Sequence, residues 1–157
     1  MALLRVMVIA TAVFGAGSAL AQDRPAATMQ ILKEKVKADK KLVVALNVDP
    51  TEAEARAFWP IYEAYQKDLE ALDQRLLALI EGYAADYRGN TLTDAKAERL
   101  LAEALAIEEA EVALKKAYVP RLRQALPAIK VARYIQVENK IRAVLKYDLA
   151  TQIPLAR

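Results

Sequence analysis

Residues 58–62 read Phe-Trp-Pro-Ile-Tyr, which places a proline inside a long helical pattern. Apolar residues around this stretch recur at alternating steps of four and three, which is typical of a helix with one apolar face. Pro60 removes a backbone hydrogen bond and clashes with the preceding turn, so it predicts a kink. The apolar face consists of Phe58, Tyr62, Tyr65, Leu69, Leu72, Leu76, Leu79 and Tyr83.

A second stretch, Tyr-Val-Pro-Arg-Leu at 118–122, repeats the feature inside another helical pattern. If the chain turns midway between the two prolines, Pro60 and Pro120 lie level in an antiparallel hairpin, with Tyr62 opposite Tyr118. Two kinks at one level bend both helices together, which predicts a curved binding surface. The alternative is that the prolines interrupt their helices at unrelated places.

Helix start and stop residues divide the chain into four predicted helices. Asp49 followed by Pro50 is typical of an N-cap, and Gly89 is suited to a left-handed C-cap. These signals predict an all-α fold in which residues 29–157 form one domain. The predicted helices are 29–46, about 50–87, a third capped by Thr91 or Thr93, and about 127–149, followed by a docked apolar tail at 152–155.

The apolar stripe of the third predicted helix is unusually wide, because Leu101, Leu105 and Val112 extend it beyond its seam. Such a stripe needs a second cover. The first and fourth helices, and the partner in a homodimer, are the expected covers.

The first residues differ from the rest in composition. Residues 1–21 combine Arg5, an apolar run and Ala19-Leu20-Ala21, which predicts a cleaved secretory signal peptide and export. The alternative is an uncleaved membrane anchor. Residues 22–28 are predicted to be a flexible lead-in, and the chain contains no cysteine for disulfides.

Residues that carry common chemistry are missing after position 21. No Cys, His or Ser occurs there, which excludes nucleophilic catalysis by Ser or Cys with a histidine base. The usual zinc and copper ligands are missing as well, so neither an enzyme nor a cofactor is predicted. Glu108, Glu109 and Glu111 remain conceivable ligands for a hard cation, although a solvated acidic helix face is by far the favoured explanation.

The net charge of +3 conceals strong segregation. Residues 49–86 contain nine acidic and three basic side chains, whereas residues 112–137 contain six basic side chains and no acidic one. This basic strip predicts a surface that attracts acidic segments of partner proteins, with Arg121 near enough to Trp59 for a cation–π contact. The alternative is that the strip pairs with the acidic second helix. The predicted contact residues are Phe58, Trp59, Tyr62, Lys115, Tyr118, Arg121, Arg123, Lys130, Arg133 and Tyr134.

Three segments resemble a group of small secreted helical proteins within the Spy/CpxP-like superfamily, the LTxxQ-motif proteins. They are DPTEAEARAFWPIYEAYQ (49–66), GNTLTDAKAERLL (89–101) and LPAIKVARYIQVENKIRAVL (126–145). The motif is degenerate, because Lys96 stands where the superfamily has Gln. The resemblance implies a cradle-shaped periplasmic dimer that acts as an ATP-independent chaperone or an envelope-stress protein. Relatives that sense metals do so through histidines, which this chain lacks.

We therefore expect a non-enzymatic, holdase-like binding protein whose partners are unfolded or flexible client proteins. The alternative is a regulatory accessory that binds one specific envelope protein. Nucleic acid and small-molecule substrates are not expected as partners.

Overall fold

The computed structural model describes residues 39–156. The predicted signal peptide, the lead-in and the first part of the predicted first helix lie outside these residues. The described part is helical, without a strand, which confirms the all-α prediction. Its helices are the end of α1 (described over 39–48), α2 (Glu52–Gly89), α3 (Asp94–Ala125) and α4 (Ala128–Gln152). Within this part, no helix combines the length and the apolar character needed to cross a membrane.

The start of α2 corrects the predicted cap by two residues. Thr51 is the N-cap, and its hydroxyl accepts a hydrogen bond from the backbone N–H of Glu54. The Glu54 carboxylate in turn accepts from the Thr51 N–H at 2.7 Å, which completes a capping box. Asp49 instead ends α1, because its φ is 47° and its N–H donates to the carbonyl of Ala45.

The turn between α2 and α3 also differs from the prediction in one residue. Asn90, not Gly89, takes the left-handed conformation, with φ 51° and ψ 39°. Gly89 is the last residue of α2, and asparagine tolerates the left-handed region better than most residues do. Thr93 caps α3, while the other candidate, Thr91, donates its hydroxyl hydrogen to Asp86 at 2.7 Å.

Contacts between α2 and α3 proceed in opposite directions along the two helices. Lys96 pairs with Asp86 next to the turn, and Arg75 binds Glu103 at 2.9 Å further along. Tyr118 stacks edge-on against Tyr65 with centroids 5.3 Å apart, not against Tyr62. The register is therefore shifted by about one helical turn from the one predicted there.

The core lies where α1, α4 and the first half of α2 meet the second half of α3. Tyr134 of α4 contacts the rings of Phe58, Tyr62 and Tyr65 at centroid distances of 5.3, 6.0 and 6.1 Å. Tilted and edge-on ring pairs of this kind stabilise beyond their buried area. The other buried apolar residues around them are Val44, Val48, Leu69, Tyr118, Leu122, Ala125, Leu126, Val131 and Val137.

The fourth helix only partly follows the inner face that its apolar spacing predicts, which consists of Val131, Ile135, Ile141, Leu145 and Leu149. Val131 is buried as predicted, but Leu145 is 44% exposed. Tyr134, Glu138 and Arg142 are buried instead. The steps between these three are four residues, so they form one continuous face that includes two charged side chains.

Candidate functional site

Four of the ten predicted contact residues are core residues. Phe58, Tyr62, Tyr118 and Tyr134 are each 5% exposed or less. A side chain so deeply buried cannot touch a partner while the protein remains folded, which corrects the prediction for these four. Their aromatic character reflects the packing described above.

Trp59 lies at the edge of the core and is partly buried. The amino group of Lys41 lies 5.0 Å from the centre of its ring, whereas the Arg121 guanidinium lies 4.4 Å from the centre of the Tyr118 ring. The cation–π contact predicted between Trp59 and Arg121 is therefore wrong. The indole receives its cation from α1.

The predicted basic strip divides into paired and exposed side chains. Lys130 binds Glu54 of the acidic second helix at 2.7 Å, and Lys115 binds Glu111 of its own helix at 2.9 Å. Arg133 donates to the carbonyl of Asn47 at 3.3 Å. Pairing with α2 thus involves one side chain of the strip. The exposed residues of the strip that make no ion pair with any described residue are Lys116, Arg121, Arg123 and Arg133, of which Arg133 has the backbone contact just given.

One face of α3 stays uncovered by the described part of the chain. Leu101, Leu105 and Val112 are 62%, 52% and 49% exposed, although the wide stripe predicted a cover for them. Lys116 and Arg123 continue the same spacing of four and seven residues, so all five side chains lie on one side of the helix. We call these five residues the α3 outer face.

An ionic cluster, which the sequence analysis missed, lies on the inner side of α3. Arg142 of α4 donates to Asp73 at 2.6 Å and to Glu111 at 3.0 Å. Glu111 also binds Lys115 and, at 3.5 Å, Lys146. The side chains of Glu111 and Arg142 are each 7% exposed. A signal for the cluster existed, because Glu111 takes a seam position of α3 between Ile107 and Leu114.

The charges of this cluster are fixed by their mutual contacts. Burial raises the pKa of Glu111, but hydrogen bonds from Lys115 and Arg142 outweigh it and hold the pKa at about 2. Burial lowers the pKa of Arg142, but its hydrogen bonds to Asp73 and Glu111 outweigh this effect, so the pKa is raised above its usual value. Both groups are therefore charged at every physiological pH.

A second buried polar group lies next to the aromatic core. Glu138 is fully buried and accepts a hydrogen bond from the amide of Gln66 at 2.8 Å. The same amide lies 3.3 Å from the hydroxyl of Tyr134. This contact joins α2 to α4 inside the core.

A cavity of about 430 Å³ lies between the second half of α2, the first half of α3 and the end of α4. Tyr83 closes one end, where its hydroxyl donates to the carbonyl of Pro154 at 2.8 Å. The tail thus docks as predicted through Ile153 and Pro154, although Leu155 is 88% exposed. The lining residues are Leu76, Leu79, Ile80, Tyr83, Leu100, Leu101, Ala104, Ile107, Glu108, Glu111, Arg142, Lys146, Leu149, Ala150 and Ile153.

The conceivable cation site at Glu108, Glu109 and Glu111 is not assembled. The carboxylate of Glu111 is occupied by Lys115 and Arg142, whereas Glu108 and Glu109 are exposed. Among residues 39–156, no group of three or more potential ligands could hold a metal ion.

Comparisons of the chain with known protein families, curated proteins and solved structures found no match.

Proposed function

We propose that this chain is a periplasmic, non-enzymatic binding protein that holds unfolded or flexible client segments without ATP. The observation that carries the proposal is the α3 outer face. It presents three exposed apolar side chains followed by the cations Lys116 and Arg123. Exposed apolar surface with a charged margin is typical of interaction sites.

The chemistry of the preferred client follows from the charge of this face. Arg121 adds a third exposed cation near its end, and residues 112–137 contain no acidic side chain. Acidic segments are attracted over several ångströms, and their apolar residues then contact Leu101, Leu105 and Val112. The proposed occupant is therefore an extended client segment that combines apolar and acidic residues.

A bent, antiparallel helical hairpin is the shape that we propose for this surface. Pro60 lies within α2 and Pro120 within α3, and each helix continues beyond its proline. An internal proline bends a helix, so two of them support a cradle-like curvature. We further propose that the chain acts as a homodimer, because Val144 and Tyr147 of α4 remain 64% and 71% exposed.

Aggregation of a chemically denatured client, followed by light scattering without ATP, tests the holdase function. Residues 22–157 should suppress aggregation at about one dimer per client, and added salt should weaken the effect. Failure to suppress aggregation of several unrelated clients would contradict the proposal. Capture of a single envelope protein, tightly and in fixed stoichiometry, would instead support the regulatory accessory.

Variants of the α3 outer face locate the site. Leu105→Ser and Lys116→Glu should each reduce suppression, because they remove apolar contact and reverse a charge. Leu46→Ser is the matched control, since Leu46 is 72% exposed on α1 and lies off this face. Equal loss in the control and the test variants would show that the α3 outer face is not the client site.

A further inference from the structure

The cavity between α2, α3 and α4 has one polar end and one apolar end. Three of its four charged lining groups, Glu111, Arg142 and Lys146, meet at one end through the ion pairs described above, and the fourth, Glu108, is exposed. The opposite end is formed by Tyr83 and Ile153, which lie about two to three helical turns away. The lining on α3 and α4 extends over about 16 Å, at 1.5 Å per residue.

The volume and the lining suit a small molecule. A cavity of about 430 Å³ falls within the range of ligand sites, which are mostly apolar with a few polar groups that orient the ligand. Leucine and isoleucine side chains from three directions form most of its walls. The apolar part therefore accepts a hydrocarbon chain, whereas the polar end selects the group attached to it.

The ionic cluster favours an anion at that end. Three cations, Lys115, Arg142 and Lys146, pair with the carboxylates of Asp73 and Glu111, so these ion-paired groups carry one positive charge in excess. The exposed carboxylate of Glu108 lies outside these pairs. Lys146 is the least engaged of them, because its side chain is 49% exposed and its only ion pair with a described residue is 3.5 Å long. In addition, the buried Nε of Arg142 has no hydrogen-bond partner among the described residues.

We propose that this cavity binds a free, single-chain alkyl carboxylate. The carboxylate contacts Lys146 at the ionic cluster, and the alkyl chain extends between the three helices toward Tyr83. Glu108, which also lines the cavity, is exposed and remains solvated at its margin. This site is separate from the client surface, although Leu101 contributes to both.

Titration calorimetry with dodecanoate, below its micelle concentration, tests the site on residues 22–157. We expect saturable binding of one dodecanoate per chain. Dodecanol, which has the same alkyl chain and no charge, should bind about tenfold more weakly, as expected for the loss of one charged contact. Absence of dodecanoate binding, or equal affinity for dodecanol, would overturn the proposal.

Three variants assign the binding to the cavity. Lys146→Glu should lower dodecanoate affinity about tenfold and leave dodecanol affinity unchanged. Ala104→Phe and Ala150→Phe fill the cavity from α3 and from α4, and each should abolish binding of both ligands. Binding that persists in both folded filling variants would overturn the location.

A matched control separates this site from the client surface. Lys116→Glu makes the same charge reversal outside the cavity, so it should leave dodecanoate binding unchanged while it reduces suppression of client aggregation. Vesicles of anionic phospholipid distinguish the free ligand from a membrane surface. The proposal would be overturned if the protein associates with these vesicles, if Lys146→Glu abolishes that association, and if dodecanoate does not compete with it. Such a result would identify a membrane contact.

Discussion

Phe58 and Trp59 are adjacent in sequence but have different surroundings. Phe58 is fully buried and contacts the rings of Trp59, Tyr62 and Tyr134. Trp59 contacts Phe58 and Tyr62 with one side, and the amino group of Lys41 lies over its ring. The indole therefore lies at the edge of the core, with the Lys41 amino group over its ring.

Alanine substitutions should reveal this difference as unequal losses of stability. Phe58→Ala should lower the free energy of unfolding by about 3–5 kcal/mol, because it leaves a buried cavity. Trp59→Ala should lower it by less, because solvent already reaches part of the indole. Urea titration followed by circular dichroism measures both. An equal or larger loss for Trp59→Ala would show that the indole is a full core residue.

Glu111 should make stability depend on pH in the acid range. Its pKa is lowered from 4.5 to about 2 in the folded chain, so its ionised form favours folding. This contribution is complete above pH 4.5 and is lost as the pH falls toward 2. Glu111→Gln should therefore flatten the acid limb of the stability curve, and at pH 7 it should destabilise by about 3–5 kcal/mol, because Arg142 loses a buried partner.

Glu109→Gln is the control for this measurement. Glu109 is exposed on the same turn of α3 and makes no ion pair with a described residue. Its replacement should leave the acid limb unchanged. An acid limb that Glu111→Gln does not alter would assign the pH dependence to other carboxyl groups.

The end of α2 offers a test of where the helix turns. Gly89→Ala should stabilise the chain by up to about 1 kcal/mol, because Gly89 is helical and alanine is the better helix former. An added Cβ there meets Thr91 at 3.5 Å, which is an ordinary contact. Asn90→Ala should destabilise by about 1–2 kcal/mol, because position 90 is left-handed. Thermal unfolding of both variants measures these two changes. Destabilisation by Gly89→Ala together with no loss for Asn90→Ala would instead assign the left-handed turn residue to Gly89.

Apolar periodicity was sufficient to predict the helices, but only in part their ends and their contacts. The recurrence of Phe58, Tyr62, Tyr65 and Leu69 predicted the buried face of α2, since side chains three and four apart share one side. The observed caps differ from the predicted ones by one or two residues. Asp49 and Asn90 both adopt left-handed backbone, which their side chains tolerate. Asp49 therefore ends α1 and does not begin α2, and Asn90 takes the C-cap position predicted for Gly89.

The candidate site was less predictable, because the type of a residue does not determine whether another helix packs over it. Tyr134 lies among basic residues in the sequence, but in the folded chain its side chain is buried in the core. Glu111 and Arg142 lie on inner faces of two helices, and only their meeting in space shows that they form a cluster. The cluster could have been predicted from an acidic residue on the apolar seam of one helix together with a basic residue on the inner face of the next.

Across the whole chain, buried tyrosines should determine how it responds to alkaline solution. Burial raises the pKa of Tyr62, Tyr65 and Tyr134 above 10.0, since an ionised phenol would lie in apolar surroundings. In the unfolded chain these tyrosines lose their protons near pH 10, whereas in the folded chain they keep them to higher pH. The free energy of unfolding is therefore unaffected by them below pH 10 and falls as the pH rises above it.

Absorbance of the tyrosinate form measures this response. We expect only part of the signal of the seven tyrosines to appear before unfolding, and the remainder to appear together with the loss of helicity. Tyr134→Phe should reduce the part that appears on unfolding. Complete ionisation of all tyrosines in a chain that remains helical would contradict the burial described above.

The position of Trp59 has a spectroscopic consequence. It is the only indole of the chain, so all tryptophan emission originates where α1 lies against α2. The charge of Lys41, 5.0 Å from the ring centre, and the neighbouring Phe58 and Tyr62 rings set the wavelength of that emission. Detachment of α1 exposes the ring to water and shifts the emission to the red. The protein thus contains its own fluorescent reporter for the opening of one end, without any added label.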